Sequence, residues 1–147
     1  MTPEQQPRLY TELAAWWPLF SPPSHYVEEA GDLLPVMLGA AGENPATLLE
    51  LGCGGGSLAF HLKNRLRLTL TDRSEQMLQV SRQVNPECEH LQGDMFSLDL
   101  GRRFDLVLIH DAIMYATSPD SVRAALATAS RHTPMASSLK MAASRAQ

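Results

Sequence analysis

Residues 48–62, LLELGCGGGSLAFHL, decide how the chain is read. A short apolar run, LLEL, feeds straight into GCGGG, and the residues behind the glycines carry the pattern of a helix start. Inside regular structure glycine costs roughly 0.5–1 kcal/mol relative to alanine, so four glycines in five positions need a reason. A tight strand-to-helix turn would be satisfied by one. The fuller reason is a ligand. In a doubly wound sheet ligands bind beyond the carboxyl ends of the strands, where the first strand turns into its helix. Glycine there admits positive φ and a close approach of the backbone, while the helix behind it offers unpaired N–H groups.

Working outward, strands and helices alternate. ATLLEL (46–51) reads as a strand, GSLAFHLKNR (56–65) as a helix, RLTLTD (67–72) as a strand, and SEQMLQVSRQV (74–84) as a helix capped by Ser74. CEHLQGD (88–94) is a short extended segment and RFDLVLIHD (103–111) a strongly apolar strand. SPDSVRAALATASRH (118–132) is a helix opened by Ser118, with Pro119 in its first position and Asp120 in its first turn. Before the glycine loop, residues 2–17 read as a helix with Leu9, Leu13 and Trp16 on one face. A Pro22–Pro23 turn follows, then a second helix over 25–40 that Pro35 kinks. The expected class is α/β: a doubly wound, Rossmann-like parallel sheet with right-handed crossovers behind a helical N-terminal cap. One domain spans 1–147, with 1–43 as the cap, 44–134 as the ligand-binding core and 135–147 as a loose tail.

Composition narrows the function. A net charge of −4 provides no basic face for nucleic acid or anionic lipid. MTPEQQPRLY has no apolar centre, so no signal peptide is expected, and no apolar run reaches the ~20 residues of a membrane span. Two cysteines, Cys53 and Cys88, are no disulfide framework, which fits a cytoplasmic setting. No metal site is expected: Cys88 and His90 supply at most two ligands, and the His110–Asp111 pair has no further histidine spacing behind it. Ser57 lacks the Gly-x-Ser-x-Gly context of a nucleophile elbow, and no Gly-Lys-Ser/Thr follows the glycines as a P-loop requires.

The loop fits two nucleotide templates. Gly54, Gly56 and Ala59 satisfy G-x-G-x-x-G/A, the dinucleotide pattern, with Asp72 as the ribose carboxylate. Glu50, Gly52, Gly54 and Gly56 instead form E-x-G-x-G-x-G with the same Asp72. A carboxylate at Glu50, ending the first strand, would repel a pyrophosphate and suits a ligand carrying an ammonium group.

With these residues in view, the sequence resembles the class I S-adenosylmethionine-dependent methyltransferases, in particular their small-molecule branch. ELGCGGGSLAFHL resembles the first motif of that family and TLTDRSEQML the acidic end of its second strand. LQGDMFSLDL is similar to its third-strand loop, and FDLVLIHDAIMYATSP to its fourth strand. The likeness covers about residues 44–134, with four motifs in order. It implies S-adenosyl-L-methionine as cofactor and a small molecule as methyl acceptor. Gly52, Gly54 and Gly56 would hug the methionine part, with Glu50 near its amino group. Asp72 would accept from the ribose hydroxyls, beside Arg73. Asp94 would take the adenine amino group, with Met95 and Phe96 against the ring. His110 and Asp111 would face the sulfonium and the acceptor, His110 being the candidate base if the acceptor must lose a proton. Tyr10, His25, Tyr26 and Tyr115 are further candidates for the acceptor pocket.

Where the family continues into a Pro-Gly-Gly turn and a fifth strand, this sequence reads RHTPMASSLKMAASRAQ. The expectation is a core lacking its C-terminal strands, with the fourth strand as an exposed sheet edge open to a partner, a second copy of the chain included. Two function classes follow: an active small-molecule methyltransferase, or a non-catalytic cofactor-binding fragment that acts as an interaction module.

Overall fold

The computed structural model describes residues 6–41 and 46–134 of the 147-residue chain. The tail expected at 135–147 lies outside the described residues. Four strands, β1 (Thr47–Leu51), β2 (Arg67–Asp72), β3 (Glu89–Gln92) and β4 (Leu106–Ile109), form one parallel sheet in the order β3-β2-β1-β4. The chain runs outward from β1 to β3, then returns to β1's other side as β4. That reversal, between β1 and β4, is the topological switch point at which such sheets open a crevice.

The helices follow from local chemistry. Helix α4 (Glu75–Val84) starts where Ser74 accepts from the Met77 N–H, and α5 (Pro119–His132) starts at a capping box between Ser118 and Ser121 with proline in its first turn. Both were legible. The helix expected over 56–65 contracts to a single turn, α3 (Ala59–Leu62), and at its expected first residue, Gly56, the backbone has a positive φ that no helix continues through.

The N-terminal cap departs further from expectation. Short 3-10 turns at Arg8–Tyr10 and Ala14–Trp16 lead into α1 (Trp17–Phe20), instead of one continuous helix. The packed residues are Tyr10, Ala14 and Trp17, which meet Met77 and Val80 of α4. Leu13 and Trp16, expected to share a helical face with Leu9, are 41% and 57% exposed. Pro22 and Pro23 break the chain as expected, and Pro23–Tyr26 forms a 3-10 turn into α2 (Val27–Ala41), which carries Pro35 within it.

Alternation along β1 divides the core. Leu48 joins Leu68, Leu70, Leu62 and the Ala30, Leu33 and Met37 stripe of α2 on one side. Leu49 and Leu51 pack with Met95 and Phe104 on the other. Strand β4 pairs with β1 alone among the described residues, and of its four residues only Leu108 is buried. The apolar edge expected from the sequence is therefore present. Among the described residues no helix is long and apolar enough to cross a membrane.

Candidate functional site

Above the carboxyl ends of β1, β2 and β4 lies a cavity of about 270 Å³, floored by the glycine loop and roofed by the cap. Of the residues the sequence singled out, Glu50, Gly52, Gly54, Asp72, Arg73, Asp94, Met95 and His110 all line it. Phe96, Asp111, Tyr10, Tyr26 and Tyr115 line it too, and His25 does not. Gly56 also lies elsewhere. It turns the chain behind the loop at φ 77°, and a Cβ there would run into Ser81 and Asn85 of the α4 region. Its absence of a side chain serves helix packing, as its own carbonyl does by accepting from Asn85 Nδ2 at 2.9 Å. Gly52 is the position where the cavity needs a bare backbone: φ is 74°, and a Cβ would overlap the side chain of Ala112.

Four carboxyl groups, Glu50, Asp72, Asp94 and Asp111, line the cavity beside Arg73, and the first two are held differently. Glu50 is 2% exposed, and its Oε2 has no hydrogen-bond partner. Burial, reinforced by the charges of Asp72 and Asp111, pushes its carboxyl up to about 8. Asp72 is tied into the loop, where Oδ2 accepts from the Gly54 N–H at 2.9 Å and Oδ1 from the Ser74 N–H at 2.8 Å. Burial raises its pKa, and these backbone N–H groups oppose the rise. Asp72 thus locks the glycine loop to the start of α4, and each of its carboxylate oxygens keeps capacity to accept a further hydrogen bond. Asp94 makes a similar local turn, its Oδ1 accepting from the Phe96 N–H at 2.8 Å. Met95 does double duty, being 9% exposed in the Leu49–Leu51–Phe104 cluster while also lining the cavity.

His110 follows the last residue of β4. Its Nε2 lies 2.7 Å from Glu29 Oε1 of α2, and its Nδ1 lies 3.5 Å from Asp111 Oδ2. Glu29 had not been singled out, and nothing in a sequence separation of 81 residues marks it. Trp17 was also missed as a site residue. Its indole covers Gly55 so closely that any Cβ there would collide with the ring. Core side chains fasten the cap over the cavity: Ser57 Oγ donates to the Ser21 carbonyl at 2.5 Å and His61 Nε2 to the Pro23 carbonyl at 2.6 Å. Ser74 Oγ donates to the Tyr10 carbonyl, and the Tyr115 hydroxyl to the Tyr10 hydroxyl. Among the described residues no group of three or more His, Cys, Asp or Glu could hold a metal ion.

The arrangement fits one ligand class better than the other. A pyrophosphate would have to enter beside Glu50, Asp72 and Asp111, whereas an ammonium would complete the unpartnered Glu50 carboxylate. Comparison with known proteins agrees with that choice. Residues 48–134 match the methyltransferase domain family. Over 109 residues the chain is 29% identical to the dTDP-3-amino-3,4,6-trideoxy-alpha-D-glucopyranose N,N-dimethyltransferase of Streptomyces venezuelae, covering 73% of this chain and 46% of that protein. Its fold is similar to the crystal structure of Streptomyces venezuelae DesVI, with a TM-score of 0.68 at 28% identity over 74% of this chain and 47% of that one. The S-adenosylmethionine-bound CalS10, an amino pentose methyltransferase from Micromonospora echinaspora, gives a TM-score of 0.68 at 30% identity with the same coverage. The chain spans about half the length of these relatives. With the family match running from β1 to the end of α5 and the ligand crevice inside it, the chain belongs to the methyltransferase domain family.

Proposed function

We propose that the chain binds S-adenosyl-L-methionine in the cavity over the glycine loop and methylates the nitrogen of a small-molecule amine. The observation that carries this reading is Glu50, a buried carboxyl that lines the glycine-rich crevice and has an unpartnered oxygen. Glu50 holds the amino group of the methionine part, and the backbone at Gly52 and Gly54 lies against it. Asp72 accepts from the ribose hydroxyls with the lone pairs its loop contacts leave over, and Arg73 borders the same edge. Asp94 and Met95 bound the adenine end, and Gly56 serves indirectly by seating the loop on α4. When bound, the cofactor supplies a methyl group on a good leaving group, so the protein's task is alignment and exclusion of water.

The acceptor class rests on two supports. Two of the relatives named above are by name methyltransferases of amino sugars, and Glu29 and Asp111 beside His110 favour a cationic acceptor over an anionic one. Tyr10, Tyr26 and Tyr115 provide hydroxyls and ring faces for a polyhydroxylated molecule, and His110 stands where a proton must leave. We place the activity in the cytoplasm, in keeping with two free cysteines. Residues 1–147 act in this reading as one domain.

A second reading draws on β4, whose outer edge is unpaired among the described residues. It makes the chain a cofactor-binding module that joins a partner or a second copy through that edge. Calorimetric titration with S-adenosyl-L-methionine, its demethylated product and NADH tests the cofactor: the first two bind and NADH does not. Transfer of labelled methyl to an amino sugar supports the enzyme. Binding without transfer, combined with concentration-dependent self-association, supports the module.

A further inference from the structure

His110 is 8% exposed at its side chain, and each ring nitrogen meets a different environment. Nε2 lies 2.7 Å from Glu29 Oε1, a well-formed hydrogen bond. Nδ1 has Asp111 Oδ2 at 3.5 Å, too far for a good one. Glu29 belongs to the first turn of α2, where a carboxylate also suits the helix N-terminus, and is 29% exposed at its side chain. A carboxylate can only accept. In the neutral ring Nε2 therefore carries the hydrogen and Nδ1 the lone pair.

We propose that Glu29 is a positioning residue: by accepting from Nε2–H it fixes the orientation and tautomer of His110, so that Nδ1 receives the proton an acceptor ammonium must lose. This inference rests on the methyl-transfer reading given above. The proton moves to Nδ1, and the pair of electrons from the broken N–H bond stays on the acceptor nitrogen as the lone pair that methylation needs. The imidazolium so formed stands between Glu29 and Asp111. The other groups around it are the Tyr26 ring, edge-on with centroids 6.5 Å apart, and Glu50 of β1 on the same cavity. Tyr26 is itself held neutral, chiefly by burial and then by the charges of Asp111, Glu29 and Glu50. Glu29 belongs to the cap and His110 to the core, so the base is assembled only while the cap is docked.

Long-range proton–nitrogen NMR on the full chain with labelled histidine reads the tautomer directly, the His110 signals being those lost in His110→Gln. The wild type should show Nε2–H. Glu29→Leu should lose that fixed tautomer and lower kcat by about 10–100-fold, with KM and affinity for the demethylated cofactor within about twofold. Glu29→Gln keeps a carbonyl acceptor, so it should keep the tautomer and recover much of the rate. An Nδ1–H ring in the wild type overturns the proposal without any variant having to fold, and so does a Glu29→Leu protein with tautomer and kcat unchanged. Failure of the wild type to bind the demethylated cofactor would instead sink the reading of the cavity, and the tautomer would still decide the role of Glu29.

Discussion

Replacing Glu50 with glutamine keeps the side chain's volume and removes its titration. In the folded protein the Glu50 carboxyl is pushed up to about 8, against 4.5 for an ordinary glutamate. Between those values the folded chain holds a proton that the unfolded chain has released. The group leaves stability untouched below about pH 4.5, lowers it as pH rises through the window, and levels off above about pH 8. At ~1.36 kcal/mol per pH unit the full effect is roughly 5 kcal/mol, comparable with the whole ~5–15 kcal/mol stability of a small domain. Urea unfolding over this range should find Glu50→Gln and wild type equal at the acid end. At the alkaline end the variant should be more stable by several kcal/mol. The ligand reports the same group from the other side. Near pH 7 a carboxyl titrating at about 8 is about nine-tenths protonated, and docking an ammonium on it requires the carboxylate. Cofactor binding should therefore release close to one proton, visible as a dependence of the calorimetric heat on buffer ionisation enthalpy. In Glu50→Gln that release should vanish and affinity should fall by about tenfold or more. Parallel stability curves for the two proteins, with proton-neutral binding in the wild type, would refute the argument.

Asp72→Ala strands the N–H groups of Gly54 and Ser74 and should cost about 1–3 kcal/mol in denaturant unfolding, besides weakening cofactor binding by roughly 2 kcal/mol in titration. Unchanged affinity would leave Asp72 as a loop lock alone. Gly55→Ala forces the Trp17 indole off the loop and out of its contact with α4, so tryptophan emission should shift to the red and stability in urea should fall by about 1–3 kcal/mol. His132→Ala removes a fully buried ring that donates to the Thr128 carbonyl at 2.7 Å and accepts from the Leu100 N–H at 3.0 Å. A loss of about 3 kcal/mol is expected in urea, from the cavity and the orphaned N–H together.

Local signals carried most of the core. RLTLTD is β2 residue for residue, and the Ser74 and Ser118 caps start their helices as side-chain chemistry requires. The cavity's floor was legible for the same reason, since Glu50, Gly52, Gly54 and Asp72 are set by a strand end, a turn and the next strand end. What failed depends on distant contacts. Leu9, Leu13 and Trp16 have helical spacing, but the docking surface on α4 selects Tyr10, Ala14 and Trp17 instead. Gly56 repeats the loop's motif yet answers to Ser81 and Asn85, and Glu29 meets His110 only because the cap folds back over β4. No periodicity in a single chain encodes such encounters.

The manner in which the cap is fastened bears on how a protein of this build could change its acceptor. Ser57, His61 and Ser74 belong to the core, and what each grips in the cap is a main-chain carbonyl: those of Ser21, Pro23 and Tyr10. A carbonyl is offered by whatever residue occupies the position. Cap side chains can therefore be exchanged, at Trp16 or Leu19 for instance, without loosening these three attachments. Tyr10 and Trp17, by contrast, line the cavity and also pack the cap on α4, so a change there touches both the pocket and its roof. On the proposed reading, grafting a relative's cap onto this core should transfer acceptor preference, provided the three carbonyls and the contacts of Tyr10 and Trp17 with α4 keep their places.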